Sequence, residues 1–121
     1  MLFRSLEAEL ADFGQFTVVI LGMGDDGHIA SLFPAAEALD TGLDMNSGRH
    51  CIAVTPTAAP HERMSLTLPR LLDTDCLIIH ISGANKQKVL EQAQAGQDAT
   101  ELPIRAVLQQ SVVPVTVFWA S

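Results

Sequence analysis

The sequence predicts an α/β layered domain with a mostly parallel, Rossmann-like sheet. Apolar runs typical of buried strands alternate with segments of helical periodicity along the chain, which is the pattern of crossovers around a parallel sheet. The 121 residues suffice for one domain at most, over residues 1–121. The chain opens on a helical pattern instead of the strand that usually begins such a sheet, so we expect a fragment truncated at its N-terminus.

Helices are predicted from apolar spacing and from the residues that end helices. Leu6, Leu10 and Phe13 repeat at helical spacing, and Gly14 suits the position just after a helix. Pro34 would stop a short helix that begins at His28. The helices predicted beyond the first cover residues 28–33, 69–72, 84–95 and 104–110, with a loop at 35–50 and an exposed connection at 56–60.

Strands are predicted where apolar and β-branched residues run continuously or alternate. These runs cover residues 17–21, 51–54, 64–68, 76–81 and 115–118. Cys51 and Cys76 each open such a run, so both are interpreted as small core residues and not as a disulfide framework. His80 lies inside an apolar run and is interpreted as a core histidine.

Charge and hydropathy restrict the partners of the protein. Hydrophobic residues make up 48% of the chain and charged residues 17%, and the formal net charge is −7. An acidic protein binds nucleic acid and anionic membranes poorly, although a few converging cations can still hold a small anion. No signal peptide or membrane-length apolar run is visible, so we expect a cytoplasmic protein without a nucleic-acid or membrane partner.

A glycine-rich loop, GMGDDGH at residues 22–28, follows the first predicted strand. Its Gly-x-Gly-x-x-Gly spacing first raises the hypothesis of a dinucleotide site. Asp25 and Asp26 argue against it, because their carboxylates would stand where a pyrophosphate must approach the backbone. Pro34 also cuts short the helix that such a fingerprint requires. The loop therefore predicts another kind of site.

His28 is the predicted general base of this loop. It follows the carboxyl end of a strand, where open α/β sheets bind ligands. Asp26 can accept from one ring nitrogen, fix the tautomer and raise the basicity of the other nitrogen. Gly22, Gly24 and Gly27 let the backbone approach a substrate closely. Amides near Gly24 are candidate donors to an oxyanion.

The string GMGDDGHIASLFP at residues 22–34 resembles the signature of the 6-phosphogluconolactonases, hydrolases of the oxidative pentose phosphate pathway. Residues 62–69, 82–86, 102–108 and 114–115 agree with that family in the same order, so the resemblance spans nearly the whole chain. The wider group is the glucosamine-6-phosphate isomerase/6-phosphogluconolactonase family. Its deaminases share the glycine–histidine core but continue with Asn-Glu-Pro, unlike this chain.

The resemblance implies a NagB/RpiA/CoA-transferase-like fold and hydrolysis of 6-phospho-D-glucono-1,5-lactone to 6-phosphogluconate. His28 and Asp26 would be catalytic, and neither a cofactor nor a metal is implied. Family members are longer, and their first half supplies a Gly-Gly-Ser/Thr loop that helps to hold the sugar phosphate. This chain has no such loop, so it is interpreted as the C-terminal half of the domain.

Two cations are predicted to bind the anionic lactone. Lys86 falls in the first turn of a predicted helix, where a cation is unfavourable unless an anion docks beside it. Arg63 could fork onto a phosphate or a carboxylate. Both match cations of the family motifs. The alternatives are a solvated helix lysine and a surface arginine paired with Glu62.

Two rival functions remain open at the level of sequence. One is isomerisation or deamination of an amino-sugar phosphate on the same fold. The other is a catalytically inactive sugar-phosphate-binding fragment. An apolar surface left by a missing half could also drive association into a homo-oligomer.

Overall fold

A computed structural model describes residues 2–56 and 61–121. The strands are β1 (Phe16–Leu21), β2 (Cys51–Val54), β3 (Arg63–Leu66), β4 (Thr74–Ser82) and β5 (Val115–Ala120). The helices are α1 (Leu2–Phe13), α2 (Leu39–Leu43), α3 (Leu68–Leu71), α4 (Ala84–Gln94) and α5 (Ile104–Leu108). Of the predicted connection at 56–60, Pro56 is buried, and residues 57–60 lie outside the described part of the chain.

A parallel sheet in the order β1-β4-β5 organises the fold. Val19 of β1 lies beside Leu77 of β4, and Leu77 lies beside Val115 of β5. Parallel neighbours need long crossover connections, and residues 22–73 and 83–114 supply them. The prediction of an α/β domain with a mostly parallel sheet is confirmed.

A second, antiparallel ladder joins β2 to β3, with Val54 opposite Arg63. The sequence predicted both strands but not their separation from the main sheet. Thr67, just after β3, is still tied to the segment before β2, because its N–H donates to His50 O and its hydroxyl donates to Arg49 O at 2.7 Å. β3 ends at Leu66, short of the predicted residue 68, and α3 begins at Leu68, one residue earlier than predicted.

The predicted helix at residues 28–33 is wrong. A tight turn replaces it, in which Leu32 N–H donates to Ile29 O at 2.8 Å and Ala30 has a φ of +48°. Both apolar ends of the turn are fully buried, and Ser31 N–H donates to Ser65 Oγ of β3 at 3.1 Å. These tertiary contacts outweigh the local helical spacing. The predicted loop at 35–50 in turn contains the short helix α2.

The main sheet buries one face and exposes the other. On the buried face, Val19, Leu77 and Ile79 are at most 9% exposed. On the opposite face, Ile20 is 66% exposed and Phe118 is 54% exposed. His80 lies on this exposed face, so within the described residues it is not the core histidine that the sequence predicted. The register of β4 explains this, since alternate residues of a strand point to opposite faces.

No helix in the described ranges, 2–56 and 61–121, has the length and apolar character needed to cross a bilayer.

Candidate functional site

His28 lies on the loop after β1 and is held by Asp26 in two ways. Its backbone N–H donates to Asp26 Oδ1 at 3.1 Å, and its ring Nδ1 lies 2.5 Å from the same oxygen. An ionised carboxylate can only accept, so Nδ1 carries the proton of the neutral ring. The lone pair is then on Nε2, which is the arrangement that a general base requires.

The carboxyl group of Asp26 is favoured in its ionised form by its contacts with His28. Partial burial opposes its ionisation, but hydrogen bonds from the ring and the backbone N–H of His28 outweigh burial and lower the pKa of Asp26. A lowered pKa in the folded state stabilises the fold above the unfolded pKa, and this contribution is lost as pH falls through the folded value. Near neutral pH, Asp26 therefore remains an anion beside the imidazole.

Gly24 gives the imidazole the space that it occupies. A Cβ at this position would overlap the His28 ring, and it would lie 2.9 Å from Asp26 Oδ1. The Gly24 N–H donates to His28 O, and its carbonyl accepts from Gly27 N–H, each at 3.0 Å. The amide of Gly24 itself is thus used within the loop, so a donor to an oxyanion would have to be another amide near it.

Gly27 packs the loop against the segment before α5. Its φ is +82°, and its carbonyl accepts from Ile104 N–H at 2.9 Å. A Cβ on Gly27 would lie 2.6 Å from Leu102 Cδ2 and 3.2 Å from Leu102 Cβ. These contacts give Gly27 a structural reason to be glycine, apart from any contact with substrate.

Alanine at Gly27 is expected to destabilise the chain more than alanine at Gly48. Both glycines have positive φ, at +82° and +71°, but a Cβ on Gly48 meets nothing within 4 Å. Gly48→Ala should cost about 1–2 kcal/mol through its left-handed backbone alone, and overlap with Leu102 should add about 1–3 kcal/mol to Gly27→Ala. Chemical denaturation measures both free energies. Equal losses would show that Leu102 yields without cost.

An open cavity of about 520 Å³ lies at the carboxyl end of β1, a size suited to a small ligand. Gly22, Gly24, His28 and Lys86 all line it. Lys86 belongs to the first turn of α4, as predicted, and it is half-buried. The structure thus brings the imidazole, two glycines of its loop and one of the two predicted cations to the same cavity.

Arg63 is not among the residues that line the cavity, but it contacts Phe33, which in turn contacts His28. It is the first residue of β3 and is exposed, with its Cζ 5.4 Å from the centroid of the Phe33 ring. The Phe33 ring in turn lies 4.3 Å from the His28 ring, centroid to centroid. Sequence reasoning missed Phe33 because it assigned this residue to a helix. The available signal was an aromatic side chain inside the histidine motif.

Arg105 is a second residue that sequence reasoning did not single out. It is 4% exposed, and its guanidinium donates to Gln92 O, Ala93 O, Asp98 O and the carboxylate of Glu101 at 3.0–3.1 Å. Two of these carbonyls belong to the last turn of α4, where helix carbonyls lack partners within the helix. Arg105 therefore fixes the end of the helix that carries Lys86.

Within residues 2–56 and 61–121, no group of three or more His, Cys, Asp or Glu side chains is placed to hold a metal ion. Cys51 is a buried free thiol, and Cys76 is a partly buried one.

Comparison with known proteins identifies relatives of this arrangement. The family model described as glucosamine-6-phosphate isomerases/6-phosphogluconolactonase matches residues 2–119. A 6-phosphogluconolactonase of Pseudomonas putida is 43% identical over 102 residues, covering 84% of this chain and 41% of that protein. That of Caulobacter vibrioides is 40% identical over 119 residues, covering 97% of this chain and 50% of that protein.

Solved structures agree with these sequence matches. The crystal structure of a 6-phosphogluconolactonase from Shewanella baltica superposes with a TM-score of 0.89 at 40% identity, covering 94% of this chain and 48% of that one. A monomeric glucosamine-6-phosphate deaminase shares the fold alone, with a TM-score of 0.72 at 19% identity. The chain spans about half the length of the curated relatives it matches. It belongs to the glucosamine-6-phosphate isomerase/6-phosphogluconolactonase family.

Proposed function

We propose that this chain carries the catalytic centre of a 6-phosphogluconolactonase, which hydrolyses 6-phospho-D-glucono-1,5-lactone to 6-phosphogluconate. The observation that carries the proposal is the imidazole of His28, held by Asp26 at a cavity that Lys86 also lines. The curated relatives that are at least 40% identical, described above, are named 6-phosphogluconolactonase. A cytoplasmic location belongs to the same proposal, and the two free thiols fit a reducing compartment.

In the proposed mechanism, Nε2 of His28 takes a proton from water as the water oxygen attacks the lactone carbonyl. The tetrahedral intermediate then collapses, the bond from the carbonyl carbon to the ring oxygen breaks, and the imidazolium returns its proton to that oxygen. Asp26 stabilises the imidazolium between these steps, since its lowered pKa keeps it anionic. A lactone is an activated ester, so attack by a water molecule that one oriented base deprotonates is sufficient, and no covalent nucleophile is needed.

The substrate is an anion, and the proposal assigns its recognition to Lys86 and Arg63. Both side chains are cations, in a chain whose formal net charge is −7. Lys86 lines the cavity beside His28. Arg63 is exposed and its guanidinium lies against the Phe33 ring, where it can bind a phosphate or a carboxylate in bidentate fashion. Gly22 and Gly24 leave the substrate access to the loop backbone.

The test uses this chain and a chimera in which it replaces the segment of the Caulobacter vibrioides relative that it matches, 119 residues long. We expect the chimera to hydrolyse the lactone and to release no ammonia from glucosamine 6-phosphate. Ammonia release would overturn the proposal in favour of a deaminase. Binding of 6-phosphogluconate without lactone turnover, by a folded chimera, would assign the chain to a non-catalytic binding module.

We also propose that residues 1–121 are the C-terminal portion of a single, larger domain. Parallel sheets are normally covered on both faces, whereas Ile20 and Phe118 are 66% and 54% exposed on one face of this sheet. β1 and β5 are the two edges of the sheet in this chain. The half-length match to the relatives supports the same conclusion. The remaining part of the domain would cover the exposed face.

The isolated chain is expected to self-associate through this exposed sheet face. Ile20→Thr should weaken the association about tenfold or more, because burying one such side chain contributes about 1.5–3 kcal/mol. Val112→Thr is the matched control, since Val112 is 67% exposed but lies outside the strands. Sedimentation velocity over a concentration series measures the change. Equal effects of the two substitutions, or a monomeric chain, would contradict the expectation.

A further inference from the structure

Phe33 contacts two groups that the proposed function uses, the imidazole of His28 and the guanidinium of Arg63. Its side chain is 9% exposed, so the ring is almost fully enclosed. The imidazole of His28 lies 4.3 Å from it, centroid to centroid, with an interplanar angle of 33°. The guanidinium of Arg63 lies 5.4 Å from the centroid of the same ring.

These two contacts have a common physical basis. The face of an aromatic ring is electron-rich and attracts a cation within about 6 Å. The guanidinium of Arg63 is always charged, and the imidazole of His28 becomes a cation once it has taken a proton from water. A ring in this position therefore favours the protonated intermediate of the base, and it also restrains a long side chain that is otherwise exposed.

The local backbone explains why Phe33 has a fixed position. Residues 29–32 form the tight turn described above, with both of its apolar ends fully buried and Ser31 tied to Ser65 of β3. This turn leads directly into Phe33. The same strand, β3, begins with Arg63. The contact between Ser31 and Ser65 thus joins the loop of His28 to the strand of Arg63, next to the ring that touches both.

We propose that Phe33 is a positioning residue, whose ring orients the imidazole of His28 and the guanidinium of Arg63 toward one substrate. The inference rests on the proposed function. It separates two effects of the ring: contact with His28 acts on the chemical step, and contact with Arg63 acts on binding of the anion. Loss of the ring should therefore change both kcat and KM, by different amounts.

The experiment compares three variants in the chimera with the Caulobacter vibrioides relative. Phe33→Leu keeps an apolar side chain but removes the ring, and we expect kcat to fall about 3- to 30-fold and KM to rise about 2- to 5-fold. Phe33→Tyr keeps the ring and should restore most of both. Leu71→Val, at a buried leucine of α3 that does not line the cavity, serves as a control that lowers thermal stability without changing kcat or KM.

A double-mutant cycle separates the two contacts. Arg63→Ala should raise KM strongly in the parent, and should raise it less when Phe33 is already leucine, because the two residues act on binding together. Full additivity in KM, or values of kcat and KM within twofold of the parent for Phe33→Leu, would overturn the inference while leaving the lactonase activity established.

A second readout does not depend on activity. The ring current of Phe33 should shift the NMR signals of the His28 imidazole protons in the chain itself, and Phe33→Leu should move them while Leu71→Val should not. If the parent chimera has no lactonase activity, the proposed function fails. The positioning of His28 by Phe33 is then decided by these signals, and unchanged signals in Phe33→Leu would overturn it.

Discussion

Replacement of His28 by alanine is expected to lower kcat/KM for lactone hydrolysis about 10²- to 10⁴-fold in the chimera, which is the usual contribution of a positioned general base. The substitution removes Nε2 and leaves Asp26 without the ring that it holds. Fold and binding should survive, because His28 is only partly buried and Lys86 remains at the cavity. Initial rates with freshly prepared lactone, corrected for its spontaneous hydrolysis, measure the loss.

His61→Ala is the matched control for this experiment, since His61 is an exposed histidine to which no part of the proposed mechanism assigns a role. It should retain the parental rate. Retention of the parental rate by His28→Ala would remove His28 from the mechanism and would leave the cavity with Lys86 as a binding site only.

Alanine at Gly24 is expected to be nearly as damaging to catalysis, although it removes no functional group. The new Cβ would overlap the His28 ring and crowd Asp26 Oδ1, so the imidazole must leave its present position. A displacement of about 1 Å at a reacting group can cost about 100-fold in rate. We therefore expect a fall of about that size in kcat, measured together with the thermal stability of the variant.

Gly22→Ala provides the comparison for stability, because a Cβ at Gly22 meets nothing within 4 Å and Gly22 has an ordinary φ. Its stability should match that of the parent. If Gly24→Ala keeps full kcat, the position of the imidazole in the loop does not control the reaction. The proposal that Asp26 orients this imidazole for catalysis would then be contradicted.

The strands could be predicted from the sequence because their signal is local. β2 has the predicted bounds of 51–54, and β4 extends the predicted run at 76–81 by a few residues at its ends. Apolar, β-branched runs of this kind are typical of buried strands. The motif at residues 22–28 likewise predicted that His28 would lie at the carboxyl end of β1, since a residue after a strand is placed there by connectivity alone.

The turn at residues 29–32 could not be predicted in this way. Its apolar spacing also suits a helix, and the decision depends on Ser65, a residue distant in sequence that accepts from Ser31 N–H. The contact of Phe33 with His28 and Arg63 depends on that turn, so it was out of reach for the same reason. Local patterns predicted the residue types of the site, whereas long-range contacts fix the distances between them.

The first two residues of α5, Ile104 and Arg105, have a consequence for which changes this chain can tolerate. Ile104 N–H binds the carbonyl of Gly27 in the His28 loop, and the next residue, Arg105, holds the end of α4, which carries Lys86. One dipeptide thus contacts both the loop that carries His28 and the helix that carries Lys86. Inserting or deleting a residue there would misalign both groups together, so this short stretch should tolerate changes of side chain far better than changes of length.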